Sequence, residues 1–274
     1  DSIPLVATHG WPSTYFELLE VVGPLTDPGR FGGDPADAFS LVVPSLPGYG
    51  FSAAPTEPGF GASQVADLWV ELMAALGYER FGSHGGDWGA AVTTELGARH
   101  PERMIGLHLT MAPVPVDPAA LTANQRAWWD GVQQYREREW GYVHLQRTKP
   151  QTPAFALTDS PVGLAAWILE KWWRWSDCAD EHGRRDPLLV YTRDELLTNV
   201  SLYWFTKTAA SAGRLYYENA HANDKPTEPT TVYGAAKLAG EAYARAFHQS
   251  FGVPVVIVRP FNAYGPGAHH EGAS

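Results

Sequence analysis

The fold is decided by one ten-residue stretch, Phe81-Gly82-Ser83-His84-Gly85-Gly86-Asp87-Trp88-Gly89-Ala90. A strand-like run ends in glycines, and a helical pattern follows at once. Gly85 and Gly89 flank Asp87 with the small-x-nucleophile-x-small spacing of a nucleophile elbow, a turn too tight for side chains at the flanking positions. The spacing predicts an acid at the tip of a sheet, against a helix N-terminus whose dipole keeps it ionised. A helix N-cap aspartate after a glycine loop would show the same local pattern.

A second segment, His9-Gly10-Trp11-Pro12, follows the apolar run from Ile3 to Ala7. It leaves a predicted strand and precedes a predicted helix over residues 13–22. In α/β-hydrolases the loop after this strand supplies one backbone N–H of the oxyanion hole, and the residue after the nucleophile supplies the other. By that comparison, the expected donors here are the N–H groups of Trp11 and Trp88. The pairing of His-Gly-Trp-Pro with Gly-Gly-Asp-Trp-Gly resembles the epoxide hydrolase family.

An aspartate at the position of the nucleophile limits the classes of reaction that the chain could catalyse. Haloalkane dehalogenases share the Asp-Trp elbow but usually carry Asn or Glu where Trp11 stands. Esterase and lipase activity is disfavoured, because attack by a carboxylate forms an ester on the enzyme itself, which suits an alkyl electrophile rather than an acyl one. The resemblance implies that Asp87 opens a small apolar epoxide through a hydroxyalkyl ester, which water hydrolyses to a vicinal diol. It implies neither a metal nor a cofactor.

The composition is typical of a well-packed globular protein. The chain has 274 residues, of which 18% are charged, so disorder is disfavoured. The net charge of −10 disfavours nucleic acid and anionic membranes as partners. Cys178 is the lone cysteine, and we find neither a signal-peptide pattern nor a membrane-spanning run, so we expect a cytoplasmic protein. The sequence leaves the oligomeric state open.

Strands alternate with helices over residues 1–112, which predicts a mostly parallel sheet in an α/β fold. One helix is predicted over 63–76, with Ser63 as its N-cap and Gly77 as its stop. The resemblance makes the first predicted strand the third strand of the hydrolase sheet, so we expect a truncated α/β-hydrolase core. The predicted strands cover residues 2–8, 40–44, 81–85 and 104–111.

Residues 113–221 are predicted to form a helical cap domain, because the alternation stops and Trp and Tyr become frequent. Several segments resemble the cap of the microsomal-type epoxide hydrolases: 141–146, 148–150, 157–167, 194–200 and 214–219. In that family two cap tyrosines face the nucleophile. The resemblance places them at Tyr142 and Tyr216, and Tyr217 fits the motif less well. These hydroxyls would bind the epoxide oxygen and stabilise its developing alkoxide.

Residues 222–274 resemble a different family, the nucleotide-sugar epimerases and dehydratases among the extended short-chain dehydrogenases. The resemblance is carried by Tyr233 and Lys237, four residues apart, and by the run Arg259-Pro260-Phe261-Asn262-Ala263-Tyr264-Gly265-Pro266. In that group the Lys lowers the pKa of the Tyr for acid/base work beside a nicotinamide. The sequence has no glycine-rich turn to hold such a cofactor. We therefore expect a helix–strand fragment of a Rossmann-type dehydrogenase in which both residues are idle.

The family's general base, a His oriented by a carboxylate, has no counterpart in a matching sequence context. His9 and His84 flank the predicted pocket but are expected to order the loops, and His269 and His270 are expected to form a surface pair. We therefore predict that the chain opens an epoxide but turns over slowly or not at all. Two alternatives stay open, an NAD-dependent epimerase or dehydratase and a non-functional chimeric chain.

Overall fold

The computed structural model describes residues 2–111 and 116–222. Up to residue 111 strands alternate with helices, and residues 118–222 form helices joined by loops. The predicted Rossmann-type fragment, including Tyr233 and Lys237, lies outside the described residues. In the part of the chain that the structure describes, no helix is both long and apolar enough to cross a bilayer.

Four parallel strands form one sheet within the described residues, in the order β2-β1-β3-β4. The prediction of an α/β fold with a parallel sheet is confirmed. Because β1 and β3 are the central strands and Thr8 pairs with Gly85, the loops that leave their carboxyl ends meet at one edge of the sheet. The strands are β1 (Ile3–Thr8), β2 (Phe39–Val42), β3 (Phe81–Gly85) and β4 (Met104–Leu109).

Three α-helices accompany the sheet in this part of the chain: α1 (Leu19–Thr26), α2 (Ala62–Ala75) and α3 (Trp88–Arg99). The prediction of a helix over residues 13–22 is wrong about where the helix begins. The Thr14 hydroxyl accepts the backbone N–H of Phe16 at 3.3 Å and opens a short 3-10 turn, Tyr15–Leu18, before α1 begins. A threonine side chain that satisfies a nearby backbone donor favours such a tight turn.

Helix α2 begins one residue before its predicted cap. Gly61 is the N-cap, not Ser63, and the side chain of Asn219 accepts the N–H of Ala62 at 2.9 Å. The capping acceptor therefore comes from 157 residues further along the chain, which a local pattern could not show. The predicted stop is confirmed, since Gly77 follows the helix with a φ of 88°.

Six further helices form the second part of the structure. Three of them begin at the side-chain caps Thr122, Ser160 and Thr192, each of which accepts a backbone N–H of the first helical turn. The helical character predicted for this segment is observed, and the boundary between core and cap stays a prediction. The helices are α4 (Ala123–Glu139), α5 (Gly141–Thr148), α6 (Gln151–Asp159), α7 (Pro161–Trp175), α8 (Arg193–Thr206) and α9 (Ala209–His221).

Helix α8 is fastened to the loop that follows β1. The Asn199 amide donates to the carbonyl of Pro12 at 2.8 Å and accepts from the Thr14 hydroxyl at 3.1 Å. The Tyr203 hydroxyl donates to the carbonyl of Ser13 at 2.7 Å. All three hydrogen bonds are buried, so they hold the helical segment in a defined position over the carboxyl edge of the sheet.

The turn between β3 and α3 has the geometry of the predicted elbow. Asp87 has a φ of 51°, a left-handed value that non-glycine residues rarely adopt. A methyl group on Gly85 would overlap the carbonyl oxygen of Gly89, and one on Gly89 would overlap the carbonyl oxygen of Thr8. Both flanking positions therefore require glycine because backbone atoms already occupy the space of a side chain.

We predict that Gly85→Ala destabilises the protein by about 3 kcal/mol or more, because the added methyl group meets rigid backbone rather than a movable side chain. The matched control is Gly131→Ala in α4, where an added methyl group meets open space. That change should raise the free energy of unfolding by ~0.5–1 kcal/mol. Urea denaturation of the two variants checks both signs, and equal stability would contradict the elbow geometry.

Candidate active site

The carboxylate of Asp87 is held by backbone N–H groups from two loops. The Trp11 N–H donates to Asp87 Oδ1 at 2.9 Å. Burial raises the pKa of the Asp87 carboxyl, and hydrogen bonds from the N–H groups of Trp11 and Trp88 offset part of that rise. The two residues predicted as oxyanion-hole donors thus both act on the predicted nucleophile. The helix N-terminus was expected to keep this acid ionised, but desolvation is the larger effect.

The loop after β1 lies directly against the acid. A methyl group on Gly10 would come within 2.5 Å of the Asp87 Cβ, so the close approach requires a glycine. The Gly10 N–H donates to Glu17 Oε1 at 3.1 Å. Desolvation raises the pKa of the Glu17 carboxyl, and the nearby charge of Asp87 raises it further. Sequence reasoning missed Glu17; its place in the first turn after the loop was the available signal.

Both predicted cap tyrosines lie in an aromatic cluster with the two oxyanion-hole residues. Tyr142, from α5, stacks on Trp11 with ring centroids 4.7 Å apart. Tyr216, from α9, meets the edge of Trp88 at 4.8 Å and of Tyr142 at 6.0 Å. Burial, and then the charge of Asp87, raises the pKa of each tyrosine. The structure therefore brings the four residues together within electrostatic reach of the acid.

Two hydrogen-bond donors in this cluster are poorly satisfied. The Tyr216 hydroxyl and the Trp88 indole N–H are buried, and within the described residues neither makes a hydrogen bond of good geometry, although the two side chains interact weakly with each other. Tyr217 differs, because it stacks on His221 with ring centroids 4.1 Å apart and is exposed. Buried donors without acceptors cost folding free energy, so the cluster resembles a site built for an acceptor on a ligand.

A buried lysine accompanies the cluster and was not predicted from the sequence. Lys171, in α7, is 8% exposed. Its ammonium lies 5.1 Å from the ring centre of Tyr142, 5.7 Å from that of Trp167 and 6.0 Å from that of Trp175, and it pairs with Glu170. The Tyr142 ring therefore contacts both the Trp11 indole and the Lys171 ammonium.

His9 orders the loop and is not free to act as a base. Its Nε2 accepts the backbone N–H of Leu46 at 3.0 Å, so its Nδ1 carries the proton and donates to the carbonyl of Gly10 at 2.9 Å. Burial lowers the pKa of His9 to about 4. The imidazole is therefore neutral at pH 7, with both nitrogens engaged, as expected of a residue that orders a loop.

The other described histidines do not hydrogen-bond Asp87. His84 and His108 face each other on β3 and β4 with their Nδ1 atoms 2.7 Å apart, and burial followed by the His108 charge lowers the pKa of His84 to about 4. His100 contacts Asp67 at 2.6 Å. Three more are exposed: His144, His182 and His221. The remaining three lie outside the described residues: His248, His269 and His270.

No group of three or more His, Cys, Asp or Glu side chains within residues 2–111 and 116–222 could hold a metal ion. The arrangement that these residues do form is a carboxylate bound by two backbone donors, close to a cluster of aromatic side chains that carries phenol and indole donors. It can attack an alkyl carbon and bind the oxygen or other acceptor that the carbon releases.

Over most of its length the chain is similar in sequence to proteins named as epoxide hydrolases. A Stigmatella aurantiaca protein provisionally named an epoxide hydrolase is 42% identical over 226 residues, covering 81% of this chain and 50% of that protein. Epoxide hydrolase 1 of Oryctolagus cuniculus is 38% identical over 236 residues, covering 79% and 52%. The chain thus spans about half the length of the curated relatives it matches.

A solved structure of an epoxide hydrolase is also similar to this chain. The crystal structure of juvenile hormone epoxide hydrolase from the silkworm Bombyx mori is similar with a TM-score of 0.70 and 36% identity, covering 80% of this chain and 55% of that one. A family model described as the NAD dependent epimerase/dehydratase family matches residues 186–274. The two resemblances predicted from the sequence are therefore both found.

Proposed function

About four fifths of the chain is homologous to epoxide hydrolases and has their α/β-hydrolase fold, and from this premise we propose that it opens small apolar epoxides by attack of Asp87. The observation that carries the proposal is the Trp11 N–H on Asp87 Oδ1, with two phenols in the aromatic cluster beside it. Attack on an alkyl carbon needs this combination of a held carboxylate and donors for the departing oxygen.

In the proposed step the epoxide lies between the acid and the two tyrosines. One oxygen of Asp87 forms a bond to a ring carbon, and the bond from that carbon to the ring oxygen breaks. The Tyr142 and Tyr216 hydroxyls bind the alkoxide that develops, and one of them gives it a proton. Asp87 Oδ1, already bound by the Trp11 N–H, becomes the carbonyl oxygen of the resulting hydroxyalkyl ester.

Hydrolysis of that ester requires a general base to activate water. Among the described histidines, His9 has both nitrogens engaged and none hydrogen-bonds Asp87. Loss of a general base costs ~10²–10⁴-fold in rate. The proposal is therefore a chain that carries out ring opening and retains the ester, with slow turnover or none.

The aromatic lining favours substrates without charge. Trp11, Trp88 and Trp175 surround the tyrosines, so an ionic group on the substrate would lose its hydration without a partner. The silkworm relative is named for juvenile hormone; for this chain we propose the broader class of apolar epoxides, with styrene oxide as the probe.

Incubation with styrene oxide should give one lasting adduct per chain by intact mass spectrometry, and peptide mapping should place it on Asp87. Asp87→Asn should give none. Tyr142→Phe and Tyr216→Phe should each slow labelling ~10- to 10²-fold, since each removes a hydrogen bond to developing charge. Tyr217→Phe is the matched control and should not change the rate, because that ring faces His221. Steady diol formation would contradict the retained ester, and absence of labelling would contradict the proposal.

The pH dependence of labelling follows from the raised pKa of Asp87. The ionised acid is the nucleophile, so a raised pKa moves the acid limb of the rate profile upward, to a midpoint above the ordinary value of 3.8. Tyr142 and Tyr216 have pKa values above 10.0 and stay protonated donors, so the rate should remain level up to about pH 10. Rapid-quench labelling across this range tests both limbs; a midpoint at or below 3.8 is the contrary result.

The family match over residues 186–274 favours a second candidate, an NAD-dependent epimerase or dehydratase. That reaction needs a glycine-rich turn for the dinucleotide, which the sequence lacks. We therefore expect titration calorimetry of the full chain with NAD to show no binding. Binding that Tyr233→Phe or Lys237→Met weakens would instead establish the second candidate.

A further inference from the structure

We infer that a small cavity beside the aromatic cluster binds a carbonyl oxygen of the substrate, through the Gln146 amide and the Trp167 indole N–H. The cavity has a volume of about 10 Å³, and Trp11 forms part of its wall. The inference rests on the proposed function, since the same substrate must place its epoxide at Asp87. It narrows the substrate class from apolar epoxides to apolar epoxides that carry one carbonyl group.

The cavity brings together two hydrogen-bond donors that lack an acceptor within the described residues. Gln146 is 2% exposed, and its Nε2 is buried without a hydrogen-bond partner. The Nε1 of Trp167 is also buried and unpartnered. Gln146 belongs to α5 and Trp167 to α7, so the packing of two helices places both residues at one small space. Unpaired buried donors cost folding free energy, and a bound acceptor would recover part of that cost.

The size of the cavity and the chemistry of its wall select the ligand. A volume of about 10 Å³ has room for about one atom of the size of a water oxygen. A carbonyl oxygen fits this space, accepts two hydrogen bonds and carries no proton of its own. A water molecule would bring two further donors beside a mostly apolar wall, which includes Leu157, Leu164 and Ile168. A pure acceptor therefore suits the cavity better than water does.

The cavity lies next to the place proposed for the epoxide. Trp11 lines it and also stacks on Tyr142, one of the two proposed donors to the epoxide oxygen. Gln146 follows Tyr142 by four residues on α5, so the two side chains share a face of that helix, about 6 Å apart along its axis. A substrate chain of about five covalent bonds between the epoxide oxygen and the carbonyl oxygen spans that distance.

Packing holds the α7 donor in place before a ligand binds. Lys171, four residues after Trp167, has its ammonium 5.7 Å from the Trp167 ring centre and 5.1 Å from that of Tyr142. Leu164 and Ile168 of the same helix are each 1% exposed and anchor it in the core. Binding of a carbonyl oxygen therefore needs little rearrangement of the protein.

The test compares labelling of the wild-type chain by 5,6-epoxyhexan-2-one and by 1,2-epoxy-5-methylhexane, which has a CH–CH₃ group in place of the carbonyl. Intact mass spectrometry follows each rate, and peptide mapping assigns the adduct to Asp87. Each rate is divided by the rate of the same epoxide with acetate in water, which removes differences in intrinsic reactivity. We expect the ketone to react about tenfold faster or more, because two hydrogen bonds form to its oxygen.

Variants at the two donors test the assignment. Gln146→Met and Trp167→Phe should each lower the ratio of the ketone rate to the hydrocarbon rate about fivefold, since each removes one donor. Gln134→Met, at an exposed position of α4, is the matched control and should leave the ratio unchanged. Urea denaturation should find Gln146→Met at least as stable as the wild type, because its Nε2 has no partner among the described residues to lose.

The outcomes separate the inference from the proposed function. Equal corrected rates for the two epoxides would overturn the inference and leave the proposed function standing. An unchanged ratio in folded Gln146→Met and Trp167→Phe variants would do the same. A clear loss of stability in Gln146→Met would show that the amide already binds an internal water, and would also overturn the inference. If neither epoxide labels Asp87, the inference and the proposed function both fail.

Discussion

The structure depends on one hydrogen bond between two loops, from the Trp11 N–H to the carboxylate of Asp87. The bond can form because β1 and β3 are parallel neighbours, with Thr8 beside Gly85, so both loops leave the sheet at the same edge. It requires the close approach of Gly10 to the Asp87 side chain. The acid is consequently fixed by backbone atoms, which do not change rotamer, and its geometry is set before any ligand arrives.

The same loop also determines where the tyrosines lie. Its backbone carbonyls at Pro12 and Ser13 accept from Asn199 and Tyr203 of α8, while Trp11 stacks on Tyr142 of α5. One loop thus supplies the donor to the acid, the attachment of the helical segment and one wall of the aromatic cluster. A shift of that loop would move the acid and the phenols together, which keeps their relative positions coupled.

The sequence predicted those parts of the site that follow from local chain geometry. The elbow glycines follow from a tight strand–helix turn, and the two backbone donors follow from the resemblance of the two loops to those of α/β-hydrolases. The contacts that it missed join distant segments: Asn219 caps α2 across 157 residues, and Lys171 packs against Tyr142 from another helix. No local periodicity encodes such contacts. The pairing of Tyr142 with Tyr216 came from family resemblance and not from the residues themselves.

Burial shifts the pKa values on both sides of the site in the same direction. It raises the pKa of Asp87, so a larger share of the acid is protonated at low pH, while the ionised carboxylate loses hydration that would hinder its attack. It also raises the pKa of Tyr142 and Tyr216, so both phenols stay protonated and can donate hydrogen bonds at neutral pH, where the acid is ionised. Burial thus raises the pKa values of the nucleophile and of both donors. As a result, the ionised acid and the protonated phenols are present together over a common pH range. A carboxylate exposed to water beside exposed phenols would have a similar width of range but a weaker nucleophile and weaker electrostatic contacts.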